Sequence, residues 1–163
     1  MVLRPDRLVA VVGTGTEVGK TWVTCATLRL LRAQGVAVAA RKPAQSYAPG
    51  DPATDAHLLG AASGEPAETV CPPHRWYDVA YAPPMAADVL GRPTFTVADL
   101  IAELSWPPAV DIGFVETAGG VRSPIAADGD CAGSADDPRF QGAAWRHYSE
   151  TALRQWRCRG VPA

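Results

Sequence analysis

Three apolar runs divide the chain, at residues 8–12 (Leu-Val-Ala-Val-Val), 36–42 (Val-Ala-Val-Ala-Ala-Arg-Lys) and 111–116 (Asp-Ile-Gly-Phe-Val-Glu). Each is apolar nearly throughout rather than alternating, the pattern of a strand buried on both faces of a parallel sheet. Residues 22–34 between the first two are rich in Ala, Leu and Arg, with Leu28, Leu30 and Leu31, and Gly35 follows. That spacing predicts a helix closed by a C-terminal glycine. Residues 55–64 predict a short helix with Leu58 and Leu59 inward, its start marked by Thr54 and Asp55, either of which suits an N-cap. Residues 71–84 are proline-rich and aromatic with no regular period, and are expected to form a functional or capping loop. Within it His74 is read as a packing or surface residue rather than a ligand or base. A helical turn at 85–90 is broken by Gly91-Arg92-Pro93, and a second short helix at 97–104 has Thr96 as its N-cap. Beyond Cys131 no buried strand is legible; residues 143–159 could form a helix with Trp145, Tyr148, Ala152 and Trp156 near one face.

The junction of the first strand and first helix reads Gly13-Thr14-Gly15-Thr16-Glu17-Val18-Gly19-Lys20-Thr21. A glycine loop between strand and helix lets several backbone N–H groups converge on one phosphate. The helix N-terminus adds its positive end, Lys20 a point charge, and Thr21 a hydroxyl for Mg²⁺. The strict pattern asks for glycine six residues before the lysine, where Thr14 stands, so this loop is one residue longer and begins at Gly13. Strand, loop and helix together predict an α/β fold with a parallel sheet, of the phosphate-loop NTPase type.

Composition narrows the chemistry. All fifteen basic residues except Lys20 and Lys42 are arginine, so one of two lysines occupies the phosphate-ligand position. The net charge of −2 offers no electrostatic case for nucleic acid. No apolar run has the length of a membrane span and the N-terminus lacks a signal-peptide layout, so a cytosolic protein is expected. The four cysteines, at 25, 71, 131 and 158, form no Cys-x-x-Cys pair and are expected to be reduced and structural. Lys42 ends the second strand and Glu116 the third. Ligands of parallel α/β sheets gather at that edge, which puts Lys42, residues 44–46 and Glu116 on one rim with the phosphate loop. A carboxylate there is costly in a core and useful beside a cation, making Glu116 a metal or water-positioning candidate.

Five blocks occur in one order: the loop at 13–21, Arg-Lys-Pro-Ala-Gln-Ser at 41–46, Thr-Asp-Ala at 54–56, Ala-Pro-Pro-Met-Ala-Ala at 82–87 and Val-Glu-Thr-Ala-Gly-Gly-Val-Arg-Ser-Pro at 115–124. In these the chain resembles dethiobiotin synthetase over residues 8–131. The resemblance implies a doubly wound, mostly parallel α/β sheet of the phosphate-loop NTPase type, incomplete at its C-terminal end in this chain, and a homodimer that uses ATP and Mg²⁺ to close the ureido ring of dethiobiotin from 7,8-diaminononanoate and CO₂. It implies ATP contacts from Glu17, Val18, Gly19, Lys20, Thr21, Trp22, Asp55, Glu116, Thr117, Ala118 and Gly119, and Mg²⁺ near Thr21, Asp55 and Glu116. Lys42 and Lys20 are the implied catalytic residues, and Ser46 and Thr16 the substrate contacts. Gly15 and Thr117 depart from the family's usual Asp and Gly, and the chain contains no Asn for the family's nucleotide-base motif. Residues 132–163 hold five of the arginines but one Leu, one Val and no Ile. They are expected to be a non-native, loosely attached tail that leaves the chain poorly stable, weak in ATP binding and low in activity. The alternatives are a related phosphate-loop ATPase or amidoligase, and a nucleotide-binding remnant.

Overall fold

The computed structural model describes residues 4–136. In order they form β1 (Arg7–Val11), α1 (Lys20–Ala33), β2 (Val38–Arg41), β3 (Gln45–Ser46), α2 (Asp55–Ser63), α3 (Ala67–Val70), a 3-10 turn (Pro73–Arg75), β4 (Trp76–Tyr77), α4 (Pro83–Val89), α5 (Val97–Glu103), β5 (Ile112–Glu116), β6 (Pro124–Ala126), β7 (Gly129–Asp130) and α6 (Cys131–Asp136). The three apolar runs become the central parallel sheet, in the order β1-β5-β2. Its register pairs Val11 with Glu116 and Arg41 with Val115, so all three strands end at one rim.

Helix α1 buries Thr24, Cys25 and Leu28, a helical spacing that sets one stripe against the sheet. That stripe meets Ala56, Leu59 and Ala62 of α2, Ala40 of β2 and Phe114 of β5 in one cluster. The second cluster lies past the strand ends and gathers Ala44, Tyr77, Ala86, Phe95, Leu100, Ala118, Ile125 and Cys131. The chain crosses from one cluster to the other between Ala40 and Ala44 and between Phe114 and Ala118, so Lys42 and Glu116 sit at the seam.

The outer edge of β2 is closed by neighbours rather than by another strand. The Ala40 N–H donates to Glu65 Oε2 at 2.8 Å and the Lys42 N–H to the Val70 carbonyl at 2.8 Å, which satisfies an edge that would otherwise invite pairing. Gly113 is needed in β5 because a Cβ there would stand 2.6 Å from the Trp106 ring.

Several expectations change. Leu59 is fully buried but Leu58 is 42% exposed, since adjacent positions on a helix are about 100° apart and only one can face the sheet. Leu30 is likewise exposed while Leu31 packs against the core. Residues 44–46 and 71–84 are not simple loops: β3 and β4 form a two-stranded parallel ladder, Gln45 opposite Trp76 and Ser46 opposite Tyr77. An antiparallel β6–β7 ladder was not legible either. Thr96 does cap α5, accepting the Asp99 N–H at 3.1 Å. The expectations for the tail beyond α6, including the helix at 143–159 and the state of Cys158, fall outside the described residues.

Candidate active site at the carboxyl ends of the strands

The phosphate loop owes its shape to three glycines. Gly19 sits at φ +93° immediately before α1, a left-handed position that favours glycine. Gly13 must lack a Cβ because the stem of Lys20 lies over it: an added carbon would stand 3.0 Å from Lys20 Cδ and 2.8 Å from Val18. This crossing explains why the longer loop begins at Gly13. Gly120 allows the segment after β5 to close on the loop, since a Cβ there would lie 2.9 Å from the Thr14 carbonyl oxygen, and the Val121 N–H donates to the Gly13 carbonyl at 2.8 Å. The Gly119-Gly120 pair was the available signal for this clamp. Thr16, Glu17 and Val18 form the exposed crest of the loop, with Glu17 also left-handed at φ 57°.

At the seam, Lys42 is buried and its Nζ donates to Asp55 Oδ2 at 2.5 Å, to Glu116 Oε1 at 2.9 Å and, more distantly, toward the Thr117 carbonyl at 3.5 Å. Thr21 Oγ1 lies 2.9 Å from Asp55 Oδ1 and 2.8 Å from Glu116 Oε1. One hydroxyl has one proton to donate, so it serves only one of those carboxylates at a time. Glu116 Oε2 is buried with no hydrogen-bond partner. Two converging carboxylates, a shared hydroxyl and an unpartnered carboxylate oxygen are a hard-oxygen set short of positive charge, and a small divalent cation fits it. Among the described residues no three His, Cys, Asp or Glu side chains cluster as a metal cage.

The two lysines have opposite environments. Burial would depress the Lys42 ammonium, but the Glu116 and Asp55 carboxylates more than reverse this and hold it above its ordinary value. Burial would likewise raise the Asp55 carboxyl, yet the Lys42 charge and the hydrogen bonds from Lys42 and Thr21 hold it below the usual range. Lys20 is pushed down, first by burial and then by Lys42. Its Nζ donates to the Gly15 carbonyl at 2.6 Å, and the flanking residue 15 has room for a side chain, with only Val18 near an added Cβ.

Thus Thr21, Lys42, Asp55 and Glu116 converge in direct contact, with Lys20 beside them. Thr117 and Ala118 continue buried from β5, and Gly119 adopts φ +73°. Ser46 lies on β3, half-buried, and Trp22 projects from α1 with 76% of its surface exposed. His74 lies apart, 3.1 Å from Glu103 in an exposed pair. Cys25, Cys71 and Cys131 are free thiols buried in the core, and burial pushes Cys71 up to about 12, which suits inert packing residues.

The chain is 40% identical over 130 residues to an ATP-dependent dethiobiotin synthetase of Methylobacterium nodulans, covering 72% of this chain and 57% of that protein. It is 41% identical over 122 residues to one from an Anaeromyxobacter species, covering 72% and 52%, and 40% identical over 130 residues to one from Caulobacter vibrioides, covering 71% and 54%. The chain thus spans about half the length of the curated relatives it matches. A family model described as an AAA domain matches residues 7–132, from β1 into α6. With its phosphate loop, its parallel sheet and a match over most of its length, the chain belongs to this AAA-domain family.

Proposed function

We propose that this protein catalyses the ATP- and Mg²⁺-dependent closure of the ureido ring of dethiobiotin from 7,8-diaminononanoate and CO₂. The single observation that supports this most is the Lys42 ammonium held between Asp55 and Glu116 beside the phosphate loop, in a chain about 40% identical to proteins named for that synthesis. One substrate amine adds to CO₂ to give a carbamate, whose oxygen attacks the γ-phosphorus of ATP while ADP leaves. The second amine then attacks the carbamoyl carbon, the carbamoyl–oxygen bond breaks, phosphate departs and the ring is closed.

No protein nucleophile is required, so the residues work by position and charge. The loop at 13–21 would hold the β- and γ-phosphates, with Glu17, Val18, Gly19 and Trp22 around them. Lys20 would swing from the Gly15 carbonyl onto phosphate. Lys42 would neutralise charge on the carbamate and the transferring phosphoryl group, and residues 116–119 would flank the γ-phosphate. Ser46 and Thr16 would contact the diamine or its carbamate. Thr21, Asp55 and Glu116 would hold Mg²⁺, which when bound neutralises phosphate charge. We also propose a homodimer in the cytoplasm; among the described residues no helix is long and apolar enough to cross a membrane.

The deciding test supplies purified protein with ATP, Mg²⁺, bicarbonate and the diamine. Equimolar dethiobiotin, ADP and phosphate are expected; ADP formation independent of the diamine would overturn the substrate assignment. In the same assay Glu116→Gln raises the Mg²⁺ concentration for half-maximal activity, and an unchanged titration would remove Glu116 from the metal's surroundings.

A further inference from the structure

Gln45 is a buried amide for which the reading above has no use. It lies on β3, three residues after Lys42 and beside Ser46, and is 1% exposed. Its Oε1 accepts the Ala56 N–H at 3.0 Å, while its Nε2 is buried without a partner among the described residues. A buried unpartnered donor is costly, and an apolar side chain of the same shape would avoid that cost. What the amide achieves in return is one bond, to the second residue of α2.

That bond matters because of what precedes it. The chain reaches α2 through a turn with Gly50 at φ +85° and Asp51 and Pro52 exposed, and the Thr54–His57 capping box that opens the helix, with the Thr54 N–H donating to His57 Nδ1 at 3.3 Å, is local to it. The strand side, by contrast, is firmly held. The Tyr47 N–H donates to the Tyr77 carbonyl at 3.0 Å, the Tyr77 and Phe95 rings stack at 6.1 Å and 9°, and Arg75 and Arg92 cover their outer faces at 4.2 and 5.3 Å. Gln45 ties the first turn of the helix to this layer one residue from Asp55, whose carboxylate meets both Thr21 and Lys42.

We propose that Gln45 is a positioning residue: through Ala56 it fixes the first turn of α2 and so holds the Asp55 carboxylate where a phosphate-bound cation needs it. This rests on the ATP and Mg²⁺ reading of the site. It predicts that removing the acceptor weakens the cation and not the fold.

The test is Mg²⁺-dependent ATP binding by calorimetry with the full chain. Gln45→Met should raise the half-saturating Mg²⁺ roughly tenfold, the usual scale for losing a residue that orients a metal ligand. Its melting temperature should shift little, because one unpartnered buried group replaces another. In an Asp55→Asn background Gln45→Met should add nothing. Equal titrations for Gln45→Met and wild type, or full additivity with Asp55→Asn, would overturn the proposal. Should Gln45→Met fail to fold, Gln45→Asn withdraws the acceptor by one methylene and is read in the same way. Amide hydrogen exchange separates this idea from the ATP reading. Loss of protection at residues 55–58 alone, with later turns of α2 intact, supports the tie; unchanged protection refutes it even if no nucleotide binds. Wild-type protein that shows no Mg²⁺-dependent ATP binding would count against the ATP reading instead.

Discussion

Lys42 neutralises a buried carboxylate, Glu116, and a partly exposed one, Asp55, and this makes it a structural residue as well as a candidate catalyst. Removing one partner of a buried charge cluster leaves the others uncompensated, commonly at a cost of about 3–5 kcal/mol. Because Asp55 is partly exposed, Lys42→Ala should fall at or below the lower end, measured by urea unfolding in metal-free buffer, and added Mg²⁺ should recover part of the loss. Stability equal to wild type in both buffers would show that Asp55 and Glu116 do not depend on this ammonium. Lys20 should behave oppositely. Burial and the like charge of Lys42 already disfavour its charged form, so Lys20→Ala should leave the unliganded protein as stable as wild type or more so, yet abolish ATP binding by calorimetry. A variant that binds ATP normally would remove Lys20 from the phosphate site. The motif and the strand-end rule made Lys20, Lys42 and Glu116 legible in the sequence, because each rests on a local pattern. Gln45 was not legible as anything more than a member of its block, since its side chain accepts from a backbone N–H eleven residues away, across a loop.

At the scale of elements, the three central strands and α1 could be read because their signals are continuous over four or more residues. The β3–β4 ladder could not, since two residues per strand show no period, and it exists through side-chain layers contributed by residues 75, 77, 92 and 95. Glu103 anchors α5 to this layer, its Oε2 accepting from Arg75 Nε at 2.9 Å and its Oε1 from Nη2 at 2.7 Å. The Arg75 hydrogen bonds outweigh burial and hold the Glu103 carboxyl below the ordinary glutamate range. A carboxyl with a depressed folded value contributes stability above its unfolded value, about 4.3, and loses it as pH falls through the lower folded value. Glu103→Gln should therefore flatten the acid limb of a urea-midpoint profile below about pH 4.3 relative to wild type. Parallel profiles would mean that the Arg75 contact is indifferent to the charge.

The whole molecule sets its site where two core clusters meet, so the loop, the strand ends and α2 can be held from both sides, but its outer surface is less well covered. Among the described strands β1 pairs only with β5, and Val9 and Val12 at that edge are 39% and 38% exposed. On α1 the outward face carries Val23 at 54% and Leu30 at 60%, seven residues apart and so on one side of the helix. Single exposed apolar residues are ordinary, but an apolar helix stripe and a strand edge that pairs with no other described strand are each features that promote association. The purified chain should show a mass above that of the monomer in size-exclusion chromatography with light scattering. Leu30→Glu should shift that mass toward the monomer while ATP affinity, set by Lys20 and Thr21 at the opposite end of α1, stays as in wild type. A monomeric wild-type chain, or a variant whose mass does not fall, would show that this face is not what brings copies together. A variant that loses ATP affinity along with association would instead tie the phosphate loop to contact between copies.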